Sequence, residues 1–135
     1  MGQQQLLLII LGVIVVGIAV AVGITMFQDN AVSANRDAVT NDLVNLASRA
    51  QQFIRRPITL GGGGNSFVGI TADAAGLAEL TSKPSNANGT YSVITAGTAT
   101  SVVLKGLGVE KGTTGTAIDI RITVFRDSTY VNQTN

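Results

Sequence analysis

Residues 6–26 read LLLIILGVIVVGIAVAVGITM, a run with no charged side chain, interrupted only by Gly12, Gly17, Gly23 and Thr25. No other feature limits this chain so strongly. As an α-helix the run is about 32 Å long, and a bilayer's hydrocarbon core is about 30 Å thick. It is apolar on every side, so a helix made from it has no face that suits water. Such a helix must lie in lipid or among other apolar helices. A chain of 135 residues has no core large enough to bury it.

Three readings follow from the flanks. A secretory signal peptide finds a small-x-small site in Ala19-Val20-Ala21, but no Lys or Arg precedes the run, and Val22, Ile24, Met26 and Phe27 carry it past that site. A single-pass anchor is the second reading. The third is a helix that waits in a membrane and then packs into the core of a filament. Arg36, Arg49, Arg55 and Arg56 follow the run while no cation precedes it, which by itself favours a cytoplasmic C-terminus. A basic leader removed ahead of Met1 resolves that conflict.

All 17 charged side chains fall between Asp29 and Asp127, and 9 Lys+Arg against 8 Asp+Glu leave a net charge of +1. That balance lacks the basic surface of a nucleic-acid binder. With no Cys and no His, zinc fingers, haem ligation, iron–sulfur clusters and thiol or imidazole catalysis are excluded, as is a disulfide framework. The carboxylates Asp73, Glu79, Glu110, Asp119 and Asp127 form no catalytic motif, and no nucleophile–base pair is visible. Four glycines at 61–64 are followed by Asn65-Ser66 where a phosphate-binding loop needs Lys-Ser/Thr, and a helix precedes them instead of following. The expectation is a chain that is no enzyme and uses no cofactor.

The helix is predicted to run on through residues 28–56, which contain no Pro and no Gly. Val32, Val39, Leu43, Leu46, Ala50 and Phe53 recur along one stripe of it. Arg36, Asp37, Asn41, Asp42, Asn45, Ser48 and Gln52 lie opposite, on a face suited to solvent. Pro57 ends the helix. Residues 57–65 then read as a flexible Gly-rich linker.

Beyond the linker the period changes. Residues 66–70 are β-prone, and residues 72–80 suit a short helix capped by Thr71. Residues 83–88 read as loop, and Asn88-Gly89 as a tight turn. Strands are predicted at 91–95, 101–107, 116–126 and 129–133, with a turn at 112–115. In the third strand Ile118, Ile120, Ile122 and Val124 share one face, while Asp119, Arg121, Thr123 and Phe125 share the other. Short turns between sequential strands make an antiparallel meander. One sheet face packs on Val39, Leu43, Leu46, Ala50 and Phe53, and the other is polar and rich in Thr. The fold class is α+β: a long N-terminal helix, apolar in residues 1–27 and amphipathic in 28–56, packed on a small antiparallel sheet formed within residues 66–135. Phe67, Tyr91, Phe125 and Tyr130 are the aromatic candidates for core or surface, and Asn88-Gly89-Thr90 and Asn132-Gln133-Thr134 match the N-glycosylation pattern.

The charge-free apolar N-terminus, the amphipathic extension, the Gly-rich loop and the small sheet together resemble the type IV pilins and the type II secretion pseudopilins. The layout covers the whole chain; the motif covers residues 1–27. In that family a basic leader is cut behind a Gly, and a glutamate stands just before the apolar run. If Met1 is the mature first residue, Gln5 takes the glutamate's place and Leu6 opens the run. If the cut follows Gly2, Gln3 is first and Leu7 takes that place. Neither register supplies the carboxylate that in the family pairs with a neighbour's terminal amine. The family's helix-breaking proline and C-terminal disulfide loop are also missing; Val22 stands near the proline's place, and Gly17 and Gly23 are candidates for a local break or for close helix packing.

The resemblance implies a structural filament subunit (a major pilin) drawn from an inner-membrane pool and exposed on the cell surface. Its partners are then identical subunits, a prepilin peptidase and the pilus assembly machinery, with N-terminal methylation after cleavage. Met1, Gly2, Gln3 and Gln5 become the processing and assembly residues. Leu6, Leu7, Ile10, Val13, Ile14, Gly17, Ile18, Ala21, Gly23 and Ile24 become the filament core. A minor pseudopilin, or a single-pass anchored binding domain that forms no filament, is the alternative; its sheet needs an exposed apolar or aromatic patch.

Overall fold

The computed structural model describes residues 2–134. Helix α1 spans Gly2–Arg55, 54 residues without a break, or about 81 Å. A 3₁₀ turn at Ile58–Leu60 and a short helix α2, Ala74–Ala78, lead into four strands: β1 Gly89–Thr95, β2 Ser101–Lys111, β3 Ala117–Phe125 and β4 Thr129–Gln133. The strands pair antiparallel in the order β1-β2-β3-β4. The expected α+β architecture, a long helix on a small meander sheet, is therefore the observed one.

The core lies between the sheet and the C-terminal half of α1. Val39, Leu43, Leu46, Ala50 and Phe53 are buried as the stripe requires, together with Ala47 and Ile54, while Val32 at the stripe's start is only partly covered. From the sheet come Tyr91, Val93, Val102, Leu104, Ile118, Ile120, Ile122 and Val124. The period-2 burial of β3 follows its sequence alternation. At Gly106 in β2 a side chain has no room, since a Cβ there would stand 2.7 Å from Val39 Cγ1. Glycine at that point lets the helix approach the strand.

Several local expectations are corrected. Gly17 and Gly23 do not interrupt α1. The glycine run is a built cap and not a loose linker. The N–H groups of Gly63, Gly64 and Asn65 donate to the carbonyls of Phe53 (2.8 Å), Arg56 (3.1 Å) and Ile54 (2.7 Å), which satisfies the helix's last orphan acceptors. A Cβ on Gly63 would stand 1.9 Å from the Ser66 carbonyl oxygen, so the turn needs glycine. Residues 66–70 form no strand. Phe67 and Ile70 both point into the core from a turn closed by Ile70 N–H donating to Phe67 O at 2.8 Å, a spacing of three that a strand cannot put on one face. Helix α2 is capped by Asp73, whose Oδ1 accepts from Gly76 N–H at 2.9 Å. Thr71, the expected cap, instead donates its hydroxyl to Asp73.

Candidate functional site

The apolar half of α1 stands clear of the rest of the chain. Every residue from 2 to 30 is exposed, a rod of about 43 Å. None of the strongly apolar stretch is buried, and it is long and apolar enough to cross a membrane. Leu6, Leu7, Ile10, Val13, Ile14, Ile18 and Ile24 are all exposed, as are Ala21, Gly17 and Gly23. They are distributed around the rod and meet no other element. A Cβ at Gly12, Gly17 or Gly23 would touch nothing within 4 Å, so these glycines form shallow notches on the surface. Gly2, Gln3 and Gln5 occupy the first turns of α1; Met1 lies outside the described residues. Phe27, 76% exposed, closes the run. Beside it a cleft of about 570 Å³ opens between Phe27, Gln28, Ala31 and Val32 of α1 and Val109–Gly112 at the tip of the β2–β3 hairpin.

Three polar side chains of α1 spaced seven residues apart fasten the globular half to it, with Gln51 Nε2 adding a bond to the Phe125 carbonyl at 3.1 Å. Asn35 donates from Nδ2 to the Asn88 carbonyl at 2.8 Å and accepts at Oδ1 from Glu110 N–H at 3.2 Å. Asp42 Oδ2 accepts from Asn86 Nδ2 (2.8 Å), Asn88 Nδ2 (2.9 Å) and Tyr91 OH (2.5 Å). Arg49 Nη1 donates to the Leu80 carbonyl at 3.0 Å. Two turns of helix separate successive members, so all three lie along one line and hold residues 80–88 and the hairpin tip against the C-terminal half of α1.

Asp42 is thus not a solvated face residue, as its place opposite the stripe suggests. Burial works against its charge, but the hydrogen bonds from Asn88, Tyr91 and Asn86 outweigh that and hold the carboxyl below the ordinary carboxylate range. Burial, the bond to Asp42 and its negative charge push the Tyr91 hydroxyl well above the usual tyrosine range. Asn88, in the first glycosylation-pattern triplet, spends its side-chain amide on Asp42; Asn132, in the second, is exposed on β4. The seven-residue spacing of Asn35, Asp42 and Arg49 is visible in the sequence, but their partners are not, because they come from loops and strands 31 to 75 positions away.

On the outer sheet face Asp119 sits between Lys105 (Nζ at 3.1 Å) and Arg121 (Nη2 at 3.3 Å). Burial disfavours its charge, but the hydrogen bonds and positive charges of these neighbours hold its carboxyl low. Ile94, Leu107 and Phe125 are also exposed, so the sheet's outward side is mixed and not simply polar and Thr-rich. The chain matches no protein-family model, no curated protein and no solved structure.

Proposed function

We propose that this chain is a structural subunit of an extracellular helical filament of the type IV pilin and pseudopilin kind, held in the inner membrane before assembly. The observation that supports this reading is the rod of residues 2–30, exposed and apolar on all sides at the end of a domain with its own closed core. Each of its large side chains is worth about 1.5–3 kcal/mol when removed from water. In water as a monomer the rod is untenable; in lipid, or surrounded by copies of itself, it is satisfied. Anchoring alone requires a helix that crosses a bilayer. Filament assembly requires in addition that the same helix pack against its copies, and the notches at Gly12, Gly17 and Gly23 allow close approach of helix backbones. Head-to-tail stacking of such rods generates an open filament.

Assembly proceeds here without the buried carboxylate–amine pair of the family. A lone ammonium buried in a filament core is costly. Gln3, Gln4 and Gln5 satisfy polar groups through neutral hydrogen bonds instead, at the start of α1. Release from a leader falls to a prepilin peptidase, and extraction from the membrane to an assembly machinery. The latch of Asn35, Asp42 and Arg49 then keeps the globular half at a fixed angle to the rod, so that every subunit presents the same outer surface.

The test is cryo-electron microscopy of material sheared from cells that express the chain, with mass spectrometry of its N-terminus. Thin filaments built from the chain and starting at a processed Met1 or Gln3 support the proposal and fix the register. A chain confined to membranes, unprocessed and without filaments, refutes it in favour of a single-pass anchored domain.

A further inference from the structure

The sheet has two edges, and they differ. On the β1 side, Tyr91 N–H donates to the Pro84 carbonyl at 2.8 Å, Asn86 N–H donates to Gly89 at 2.9 Å, and Ser85 bridges to Thr90. That edge is covered along Gly89, Thr90 and Tyr91. β4 pairs only with β3, and among the described residues nothing pairs with its outer side. Which groups it offers follows from two bonds of the β3–β4 ladder. Phe125 N–H donates to Ser128 O at 2.8 Å, and Thr134 N–H donates to Asp119 O at 3.0 Å. Pairing alternates along an antiparallel ladder, and the register sets Thr123 against Tyr130 and Arg121 against Asn132. Tyr130 and Asn132 therefore turn their backbone groups to β3, while Thr129, Val131 and Gln133 turn theirs outward.

Proteins normally protect such an edge with a charge, a proline or a bulge. Thr129, Tyr130, Val131, Asn132 and Gln133 include no charge and no proline, and the register with β3 is unshifted. The strand is also self-complementary. With Val131 opposite its own copy, Thr129 falls opposite Gln133, and Tyr130 opposite Asn132. Each of the three outward residues then meets an outward residue, which is the hydrogen-bonded kind of antiparallel pair. No like charges are opposed.

We propose that β4 is a homotypic docking edge: the β4 strands of two copies pair antiparallel about a two-fold axis at Val131, which joins two four-stranded sheets into one. Helix α1 lies over β2 and β3, so the two helices stand roughly 19 Å apart at the strand spacing of a sheet and do not collide. The two-fold axis is normal to the sheet and hence perpendicular to the helix lying on it, so the pairing reverses one helix relative to the other. It joins copies that point in opposite directions, as on two facing membranes or two opposed filaments, and not neighbours in one bilayer. This goes beyond the filament proposal and does not depend on it.

The chain has no cysteine, which makes cross-linking direct. The opposed Cα atoms at Val131 lie about 5.5 Å apart in this arrangement, inside disulfide range. The full chain bearing Val131→Cys, in detergent micelles with copper–phenanthroline, is expected to give disulfide-linked dimers, while exposed Ser82→Cys stays monomeric. Thr129→Cys mixed with Gln133→Cys is expected to cross-link, and Thr129→Cys alone is not. Adding Gln133→Pro, which removes an outward N–H that the fold does not use, lowers Val131→Cys cross-linking about tenfold with an unchanged circular dichroism spectrum. Val131→Cys that reacts no faster than Ser82→Cys, Thr129→Cys that links to itself as readily as to Gln133→Cys, or indifference to Gln133→Pro overturns the proposal. Dimers from a chain that never forms filaments uphold this pairing and sink the filament reading; filaments without the cross-link do the reverse.

Discussion

Replacing Asp42 with alanine removes the acceptor on which Asn86, Asn88 and Tyr91 converge. The three losses are unequal. Asn86 is exposed and Asn88 half-buried, so water replaces much of what their amides lose. Tyr91 is only 4% exposed, and its hydroxyl keeps no acceptor; an unmet buried donor costs about 1–3 kcal/mol. With a smaller contribution from the two amides, Asp42→Ala is expected to destabilise the globular half by about 2 kcal/mol. For a domain near 100 residues that lowers the melting temperature by about 8–16 °C. The assay is thermal unfolding of the full chain in detergent, followed by tyrosine circular dichroism. Because the folded carboxyl is held below its ordinary range, the folded state takes up the proton at lower pH than the unfolded chain. The stabilisation is complete above the unfolded value of about 3.9 and is lost as pH falls through the folded one. Wild type and variant therefore converge in strong acid. In a double-mutant cycle Asp42→Ala and Tyr91→Phe should couple by about 1 kcal/mol. A difference below about 0.5 kcal/mol near neutral pH, or one that widens on acidification, refutes the latch.

Other outcomes test other parts of the structure. Leu43→Ala, at a fully buried point between α1 and the sheet, should cost about 2–5 kcal/mol in denaturant titration. Gly63→Ala drives a Cβ against the Ser66 carbonyl and should lose at least about 1 kcal/mol in the same titration, whereas Gly17→Ala, inside α1 with open space around it, should cost nothing, since alanine is the better helix former. Val16→Lys, in the middle of the exposed rod, carries a membrane-insertion penalty of about 2.5–3.5 kcal/mol and should shift the chain from the carbonate-resistant membrane fraction to the soluble or degraded pool. Extraction of the unsubstituted chain by carbonate would show that the rod does not lie across a bilayer.

The sequence alone determined the features that depend on near neighbours. The apolar run implies its helix because it is uniformly apolar and long enough to cross a bilayer, where a lone segment meets its own backbone hydrogen bonds only as a helix. The stripe from Val39 to Phe53 names the buried face of α1, Pro57 names its end, and the alternation from Ile118 to Val124 names both a strand and its inner side. Other features needed the chain to fold back on itself. Asp42 looked solvated because its three donors arrive from residues 86–91, some 44 to 49 positions away. The glycines at 61–64 read as slack, since the N–H groups of Gly63, Gly64 and the following Asn65 find their partners in carbonyls at Phe53, Arg56 and Ile54, at the helix end, that only a reversed chain can reach. Phe67 and Ile70 looked like a strand until a turn sent both inward. The bare edge of β4 exists only because the meander ends there. Hydrophobic periodicity is written along the chain, but hydrogen bonds between distant polar groups are decided by the surfaces that packing brings together.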